Sequence, residues 1–237
     1  AGDRSLGVSI RLEKRIPAGA GLGGGSGNAA VVLWGLNRLW GLGLPPAALR
    51  RLGASLGADV PAFLVGPAAV CRGRGERVSR GRPLRRGWFL LAKPRYPLPT
   101  ARVYGWMREK LRSEGREPEQ TLPRPGGKTP SYRNDLEEVA FERHPELGAA
   151  REGLLRCGAA RARMSGSGSA LWGLFASLGR AEEALARFRP GRGWRTWLAR
   201  PLVAAPFGEV EEGRAGSGGP HQGSEILGTG AGTFARN

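Results

Sequence analysis

The residues best suited to chemistry lie in a glycine-rich segment at residues 14–30, with the sequence KRIPAGAGLGGGSGNAA. Six glycines stand there between a segment that alternates like a strand and a pattern typical of an amphipathic helix. Backbone N–H groups can converge on an anion at such a junction, and the helix dipole adds to the attraction. Glycine permits positive φ and a close approach to the backbone. The segment predicts a phosphate site; the plainer alternative is a flexible linker before a capped helix.

A single carboxylate, Asp59, lies in the apolar segment LGADVPAF at residues 56–63. An aspartate in this setting either caps a neighbouring helix or acts as a base in a partly desolvated site. Together with a phosphate loop, it becomes a candidate for accepting a proton from a hydroxyl group, as an aspartate does in many kinases.

A further glycine segment, MSGSGSA at residues 164–170, stands between two predicted strands. It offers three serine hydroxyls and several N–H groups. The pattern fits a hairpin turn, and its small residues would also let a ligand approach the backbone closely.

Two familiar phosphate motifs fail on spacing. Gly127, Lys128 and Thr129 imitate the end of a P-loop, but position 122 is Leu and Pro130 would stop the helix that should follow. The Rossmann fingerprint lacks the acidic residue expected about twenty positions after its glycines. We therefore set both interpretations aside.

The elements that position these segments alternate between strands and helices. Periodicity, capping and turn residues predict strands at 8–12, 68–71, 76–80, 88–93, 161–164, 170–175 and 193–198, and helices at 28–40, 45–56, 100–112, 134–143, 145–156 and 180–188. A composition rich in Arg, Gly and Pro at 81–87 predicts a domain boundary. We expect an α+β protein with domains at 1–82 and 83–205, the second resembling the ferredoxin-like arrangement, and a disordered tail at 206–237.

The alternating segment at residues 8–12 places Val8, Ile10 and Leu12 on one face. A strand needs neighbours with which to pair, and few residues precede this one. We therefore expect that an N-terminal portion of the domain precedes Ala1. The helix at 28–40 should bury one face, formed by Ala29, Val32, Leu33, Leu36 and Trp40.

Composition narrows the function class. The chain has 237 residues and a net charge of +17, from 37 basic and 20 acidic residues. The basic residues are mostly arginines scattered among Gly, Pro and Leu, as a GC-rich genome would impose, so we do not expect nucleic-acid binding. Cys71 and Cys157 are expected to be buried, reduced thiols without zinc. The sequence lacks an apolar run of about 18 residues and a signal peptide, which predicts a cytoplasmic protein without membrane association.

The three motif segments, in this order and spacing, resemble the signature regions of the GHMP kinase superfamily. PLPTARVY at 97–104 and NDLE at 134–137 agree with that resemblance. The triple glycine and the Asn-Ala-Ala ending resemble the branch that phosphorylates a cytidine-diphosphate conjugate of methylerythritol. The resemblance implies a ribosomal-protein-S5-like N-terminal domain, a ferredoxin-like C-terminal domain, and a kinase of the non-mevalonate isoprenoid precursor pathway.

The resemblance also implies site residues. Asp59 would be the base that accepts the proton of the methylerythritol 2-hydroxyl. ATP, accompanied by Mg²⁺, would be held by the glycine-rich segment, whose members are Pro17, Ala18, Gly19, Ala20, Gly21, Leu22, Gly23, Gly24, Gly25, Ser26, Gly27 and Asn28. The second substrate is a small cytidine-diphosphate molecule: Tyr104 would pack against its cytosine, with Thr100 and Arg74 near the same pocket. The third segment would close the site from the second domain through Ser165, Gly166, Ser167 and Gly168.

Two departures from the family pattern bear on these expectations. A lysine, an asparagine and a Tyr-His pair that family members carry have no match here and should lie upstream of Ala1. Gly27 stands where the family has a second serine, so the metal ligands stay unassigned. The sequence does not assign an oligomeric state. The alternatives are another GHMP kinase, acting on homoserine or a mevalonate derivative, a non-catalytic nucleotide-binding fragment, or a basic nucleic-acid-binding protein.

Overall fold

The structure is a computed structural model that describes residues 6–73, 75, 77–116 and 133–204. The chain forms two compact units. The first consists mainly of Gly23–Arg85, and the second of Ile16–Leu22 together with Arg86–Arg200. The glycine-rich segment is therefore shared: its first part packs in the second unit, and the rest begins the first unit. The domain ranges predicted above stay a prediction, because residues 205–237 lie outside the described ranges.

The first unit contains three helices and a two-stranded antiparallel sheet in its described part. These are α1 (Gly24–Leu39), α2 (Pro46–Leu56), α3 (Val60–Val65), β1 (Ala69–Arg72) and β2 (Arg77–Arg80), with Ala69 opposite Arg80. Pro46 begins α2, where its fixed φ and missing N–H cost nothing. Gly53 lets α3 approach closely, because a Cβ there would lie 3.1 Å from the Val60 side chain.

Two expectations for the first unit were wrong. Residues 8–12 form no strand in the structure, and Val8, Ile10 and Leu12 are 46%, 57% and 60% exposed. Alternation alone cannot make a strand without a partner ladder, and no described segment pairs with these residues. Helix α1 begins at Gly24, four residues before the predicted start, and its predicted face is only half-buried; its fully buried residue is Ala30.

The second unit is built around a four-stranded antiparallel sheet. Its elements are β3 (Trp88–Lys93), α4 (Thr100–Ser113), α5 (Leu136–Arg143), α6 (Pro145–Arg156), β4 (Arg161–Met164), β5 (Leu171–Phe175), α7 (Leu178–Arg187) and β6 (Arg195–Ala199). The strand order is β4-β5-β3-β6, and every neighbouring pair is antiparallel. A strand, a helical connection, two strands, a helix and a last strand in this order form the ferredoxin-like arrangement. The α+β prediction is confirmed.

The main hydrophobic core of the described chain lies on this sheet. Leu90 on β3, Phe175 on β5 and Leu154 on α6 are at most 1% exposed and belong to one cluster. Along β5 the buried and half-buried residues alternate, as expected for a strand with one face on the core. Burial of each such large side chain contributes about 1.5–3 kcal/mol. Strands β4 and β5, which flank the turn at 165–170, contribute Met164 and Leu171 to this core.

The cysteines were expected to be buried, and this expectation was wrong. Cys71 is exposed and Cys157 is half-buried, and both are free thiols.

None of the described helices is both long and apolar enough to cross a membrane.

Candidate active site

The loop before α1 has a backbone that favours glycine at alternate positions. Gly19, Gly21 and Gly23 have φ of 62°, 70° and 65°, in the left-handed region. Residues other than glycine rarely adopt this backbone conformation, and at Gly21 a Cβ would lie 2.0 Å from the carbonyl oxygen of Ser165. Only glycine fits there. Backbones that alternate in this way direct successive N–H groups to one side, forming a concave site for an anion.

Three successive carbonyl groups of this loop are held by other parts of the second unit. Gly19 O accepts from the Leu98 N–H (3.3 Å), and Ala20 O accepts from the Ala170 N–H (3.1 Å). Gly21 O accepts from the Ser165 hydroxyl at 2.8 Å. The loop is thus fixed by the segment that follows β3 and by the turn between β4 and β5.

The directions of these carbonyl groups determine where the loop presents its donors. In a planar trans peptide the N–H points opposite to the C=O of the preceding residue. The N–H groups of Ala20, Gly21 and Leu22 therefore point away from the partners that hold the carbonyls. Within the described ranges, none of the three has a hydrogen-bond acceptor. They are available to a ligand.

The same segment continues directly into the N-terminus of α1. Gly23 is the N-cap, and no side chain caps the helix. Gly27 N–H makes the first intrahelical bond, to Gly23 O (2.8 Å), so the N–H groups of residues 23–26 precede the helical ladder. The first turn carries no acidic residue. An uncapped helix N-terminus of this kind attracts phosphate through its N–H groups and its dipole.

Asp59 lies in the first unit, at the N-cap of α3. Its side chain makes no capping bond, which weakens the interpretation as a helix cap, and the residue is exposed rather than desolvated as expected. Phe63, one helical turn after Asp59, packs on the N-terminus of α1: Cβ atoms at Gly23 and Gly27 would lie 2.6 and 3.4 Å from its ring. The four residues from Asp59 to Phe63 correspond to about 6 Å of helical rise. The structure thus brings the carboxylate and the N-terminus of α1 into one neighbourhood.

Cys71 on β1 lies close to the same carboxylate. Partial desolvation of its thiol raises the pKa of Cys71, and the negative charge of Asp59 adds to the rise. Cys71 therefore stays a neutral thiol near neutral pH and does not compete with Asp59 for a proton.

The serines of the turn after β4 use their hydroxyls within the second unit. Ser165 bonds Gly21 O as described, and Ser169 donates to Tyr96 O at 2.8 Å. The Ser167 hydroxyl, in a residue only 7% exposed, shares a hydrogen bond with Thr100 Oγ1 at 2.9 Å. The turn touches the loop at 19–21, and its part in a ligand site stays a prediction. Contact with a substrate stays a prediction.

Of the three residues predicted to lie at the cytosine of the substrate, the structure describes two. Thr100 and Tyr104 lie one turn apart on α4, and Tyr104 is 49% exposed, so its ring is accessible to a ligand. Arg74 lies outside the described residues. Pro17, Ala18 and Asn28 are present in the glycine segment, with Asn28 inside the first turns of α1.

Family comparisons agree with this geometry. The family model described as the GHMP kinases N terminal domain matches residues 1–67, and that of the GHMP kinases C terminal matches residues 128–191. The 4-diphosphocytidyl-2-C-methyl-D-erythritol kinase of Geobacter metallireducens is 40% identical over 201 residues, covering 83% of this chain and 70% of that protein. The chain belongs to the GHMP kinase family. The enzyme of the same name from Moorella thermoacetica is 45% identical over 178 residues, 72% of this chain and 62% of its own length.

Solved structures place the fold of this GHMP kinase among the same proteins. The crystal structure of a 4-(cytidine 5'-diphospho)-2C-methyl-D-erythritol kinase matches with a TM-score of 0.64 and 37% identity, over 78% of this chain and 68% of that chain. A homoserine kinase from Cytophaga hutchinsonii matches with a TM-score of 0.59 but only 15% identity, which shows the shared fold alone.

Two residues of this GHMP kinase received no role in the site from the sequence. Asn134 and Glu137 are the first and last residues of the NDLE segment. In the structure, Asn134 Nδ2 donates to Met164 O (3.0 Å) and Gly166 O (2.8 Å), while Glu137 Oε1 accepts from Met164 N–H at 2.6 Å. Their only signal in the sequence was the NDLE match, since their partners lie about thirty residues away.

An open pocket of about 290 Å³ lies elsewhere in the second unit, lined mainly by residues of α4 and α5 and by Arg116 and Arg133. Apart from Asn134 and Glu137, it contains none of the residues discussed as parts of the site. It also borders residues outside the described ranges. We therefore assign it no ligand.

Proposed function

We propose that this protein transfers the γ-phosphoryl group of ATP to the 2-hydroxyl of 4-diphosphocytidyl-2-C-methyl-D-erythritol, in the non-mevalonate route to isoprenoid precursors. The observation that carries the kinase part is the backbone at residues 19–26. There the unpaired N–H groups of the loop lead directly to the uncapped N-terminus of α1. The substrate part is supported by relatives of that name at about 40% identity.

The loop and the helix N-terminus supply the charge stabilisation that phosphoryl transfer needs. The γ-phosphoryl group passes through a loose transition state, with charge spread over its oxygens, so positioning and electrostatics do most of the work. Backbone donors that are fixed before the nucleotide arrives lose little free energy to reorganisation. The carbonyl bonds of Gly19, Ala20 and Gly21 provide that fixing.

Asp59 is the proposed proton acceptor. Its carboxylate makes no hydrogen bond or ion pair with the described residues, and it is exposed, so a substrate hydroxyl can approach it. As the hydroxyl oxygen forms its bond to phosphorus, its proton passes to a carboxylate oxygen, and ADP leaves with the electron pair of the broken P–O bond.

Mg²⁺ is proposed to accompany ATP. The described residues contain no group of three His, Cys, Asp or Glu side chains that could hold a metal by themselves. Nucleotide-bound Mg²⁺ is held largely by the phosphates and by water and needs few protein ligands, and the Ser26 hydroxyl in the first turn of α1 could supply one. When bound, the ion neutralises phosphate charge.

The second substrate is proposed to lie near α4. The exposed Tyr104 ring offers a face on which a cytosine can stack, and Thr100 lies one turn before it on the same helix. Arg74, Ser165, Gly166, Ser167 and Gly168 stay in the proposed substrate set on the family resemblance alone.

A coupled assay tests the proposal. The full-length product of the gene is supplied with MgATP and the cytidylylated methylerythritol, and release of ADP is followed, with homoserine and mevalonate as competing substrates in separate reactions. We expect turnover on the cytidine substrate only. Turnover on homoserine or mevalonate without turnover on the cytidine substrate would overturn the substrate assignment, and absence of ATP binding would overturn the kinase assignment.

A further inference from the structure

Asn134 makes three hydrogen bonds at the end of β4. Its Nδ2 group donates to Met164 O and Gly166 O, and its Oδ1 accepts from the Leu136 N–H at 3.1 Å. A carboxamide is the side-chain group that offers two donors and an acceptor at one point. The bonds join the start of α5 to the turn between β4 and β5.

Glu137 strengthens the same junction from the first turn of α5. Its Oε1 accepts from the Met164 N–H, so both backbone groups of Met164 are held, one by α5 and the other by Asn134, two residues before α5. Arg151 and Arg163 lie 3.9 and 3.8 Å from the other carboxylate oxygen. The last residue of β4 therefore cannot shift without breaking charge-assisted bonds.

The turn held in this way is in direct contact with the loop that presents N–H groups. Ser165 donates to Gly21 O, and Ala170 N–H donates to Ala20 O. Because a Cβ at Gly21 would lie 2.0 Å from Ser165 O, the two backbones lie at the closest approach that glycine allows. A movement of the turn must therefore move the loop.

We propose that Asn134 is a positioning residue for ATP. It fixes the turn at 164–166, the turn fixes the carbonyls of Ala20 and Gly21, and the fixed carbonyls aim the N–H groups of Gly21 and Leu22 at the phosphates. Asn134 itself touches no reacting atom in this scheme. The inference rests on the proposed function, whose loop it concerns.

The test is the substitution Asn134→Asp in the full chain. The aspartate keeps an acceptor for the Leu136 N–H but replaces two donors with an oxygen that faces two carbonyl groups. We expect the KM for ATP and the Kd of a non-hydrolysable ATP analogue to rise about tenfold, as loss of about 1.4 kcal/mol of preorganisation would require. The KM for the second substrate should change by less than about twofold, a difference under about 0.4 kcal/mol.

Asn37→Asp is the matched control. Asn37 makes a similar bond pattern, donating to Leu44 O at 3.1 Å and accepting from the Leu44 N–H at 2.9 Å, after the end of α1. Both variants should lose thermal stability, but only Asn134→Asp should weaken ATP binding. A folded Asn134→Asp variant with the wild-type KM for ATP would overturn the inference, because a purely structural role predicts that result.

Ser165→Ala keeps the inference testable if Asn134→Asp does not fold. It removes the hydroxyl bond to Gly21 O at the other end of the same connection, without adding charge. The KM for ATP should rise about threefold, in line with one hydrogen bond of about 0.7 kcal/mol; an unchanged value would also overturn the inference. If the wild-type chain itself binds no ATP, the proposed function fails instead, so the two failures are distinguishable.

Discussion

Asp59 has the accessibility that a proton acceptor requires. A helix N-cap would normally turn an aspartate oxygen toward the backbone N–H groups of the next turn, but here the side chain makes no such bond. Its oxygens are therefore available to a hydroxyl group. The missing capping bond lowers the stability only of α3, a helix of six residues.

Asp59→Asn should lower kcat by about 10²–10⁴-fold, the usual contribution of a positioned base, because an amide cannot accept the proton. The Kd of a non-hydrolysable ATP analogue should stay unchanged, since the phosphates are held by backbone N–H groups. Rates and binding are measured on the same preparation. Glu182→Gln, at an exposed position of α7, is the control and should retain the wild-type rate. A rate for Asp59→Asn close to the wild-type value would exclude Asp59 as the base.

The free energy of unfolding depends on pH through Glu137, which bonds the end of β4. Desolvation raises the pKa of Glu137 above its usual 4.5, although the Met164 N–H, Arg163 and Arg151 act in the opposite direction. Between 4.5 and the raised pKa, the folded state holds more protons than the unfolded state. The free energy of unfolding therefore falls as pH rises through this interval, and the favourable contribution is fully present only below pH 4.5.

Glu137→Gln should remove that part of the pH dependence, because glutamine can still accept from the Met164 N–H but does not titrate. Denaturant unfolding curves at a series of pH values from 4 upward measure the effect. The difference in unfolding free energy, wild type minus variant, should decrease as pH rises through the interval. A difference that increases with pH would show that the arginines dominate and that the pKa of Glu137 is lowered.

At the scale of the element, the loop before α1 requires glycine at position 21, whereas the interior of α1 has room for a side chain at position 35. Gly21 has positive φ and a backbone neighbour where a Cβ would stand, whereas Gly35 lies inside α1 with nothing within 4 Å of the Cβ position. Gly21→Ala should lower the unfolding free energy by about 1–2 kcal/mol or more from the left-handed backbone alone. Gly35→Ala should raise it by about 0.5–1 kcal/mol.

Thermal or denaturant unfolding of the two variants beside wild type measures this difference. Gly21→Ala should also weaken binding of the ATP analogue, because the added Cβ separates the loop from Ser165 O. Gly35→Ala should not. Equal stability of the two variants would mean that the loop does not have the backbone conformation described above.

The first residue of α1 could not be predicted from local helix propensity. Residues 24–27, Gly-Gly-Ser-Gly, are poor helix formers, and each glycine in a helix costs about 1 kcal/mol relative to alanine, so propensity placed the start at Asn28. The helix begins at Gly24 because distant residues decide it: the Phe63 ring packs where side chains at Gly23 and Gly27 would stand. In the second unit, where strands alternate cleanly and prolines or capping residues mark the ends, the predicted elements agree with the structure within two residues.

At the scale of the whole molecule, the motifs were visible in the sequence, but the connections between them were not. The glycine spacing predicted a phosphate loop; the structure shows positive φ at alternate glycines there, and phosphate binding stays a prediction. The bond from Ser165 to Gly21 spans 144 residues, and no periodicity or spacing carries that information. The family resemblance puts Ser165 and Ser167 in the substrate set, and the structure shows that each hydroxyl also has a partner within the second unit. Their contact with a substrate stays a prediction.

The net charge of +17 is also a property of the whole molecule. How this charge is distributed bears on the choice between a kinase and a nucleic-acid-binding protein. Several of the arginines in the described ranges already form ion pairs with carboxylates, for example Arg143 with Glu109, Arg151 with Glu137 and Arg180 with Glu183. A dispersed charge of this kind attracts any polyanion without a fixed footprint. Such binding has a Kd of about 10⁻⁴–10⁻⁶ M at physiological salt and weakens steeply as salt rises.

Fluorescence anisotropy of a labelled DNA duplex and of a labelled RNA, titrated with the full chain at 50 and 200 mM salt, measures this directly. We expect weak binding at the lower salt that is lost at the higher one, and a KM for ATP that does not change when unlabelled DNA is added. The reason is that, in the proposed site, backbone N–H groups of the loop and of α1 hold the phosphates of the nucleotide, and the scattered arginines do not. Submicromolar affinity at 200 mM salt, or displacement of ATP by the duplex, would instead favour a nucleic-acid-binding protein that uses the same glycine segment.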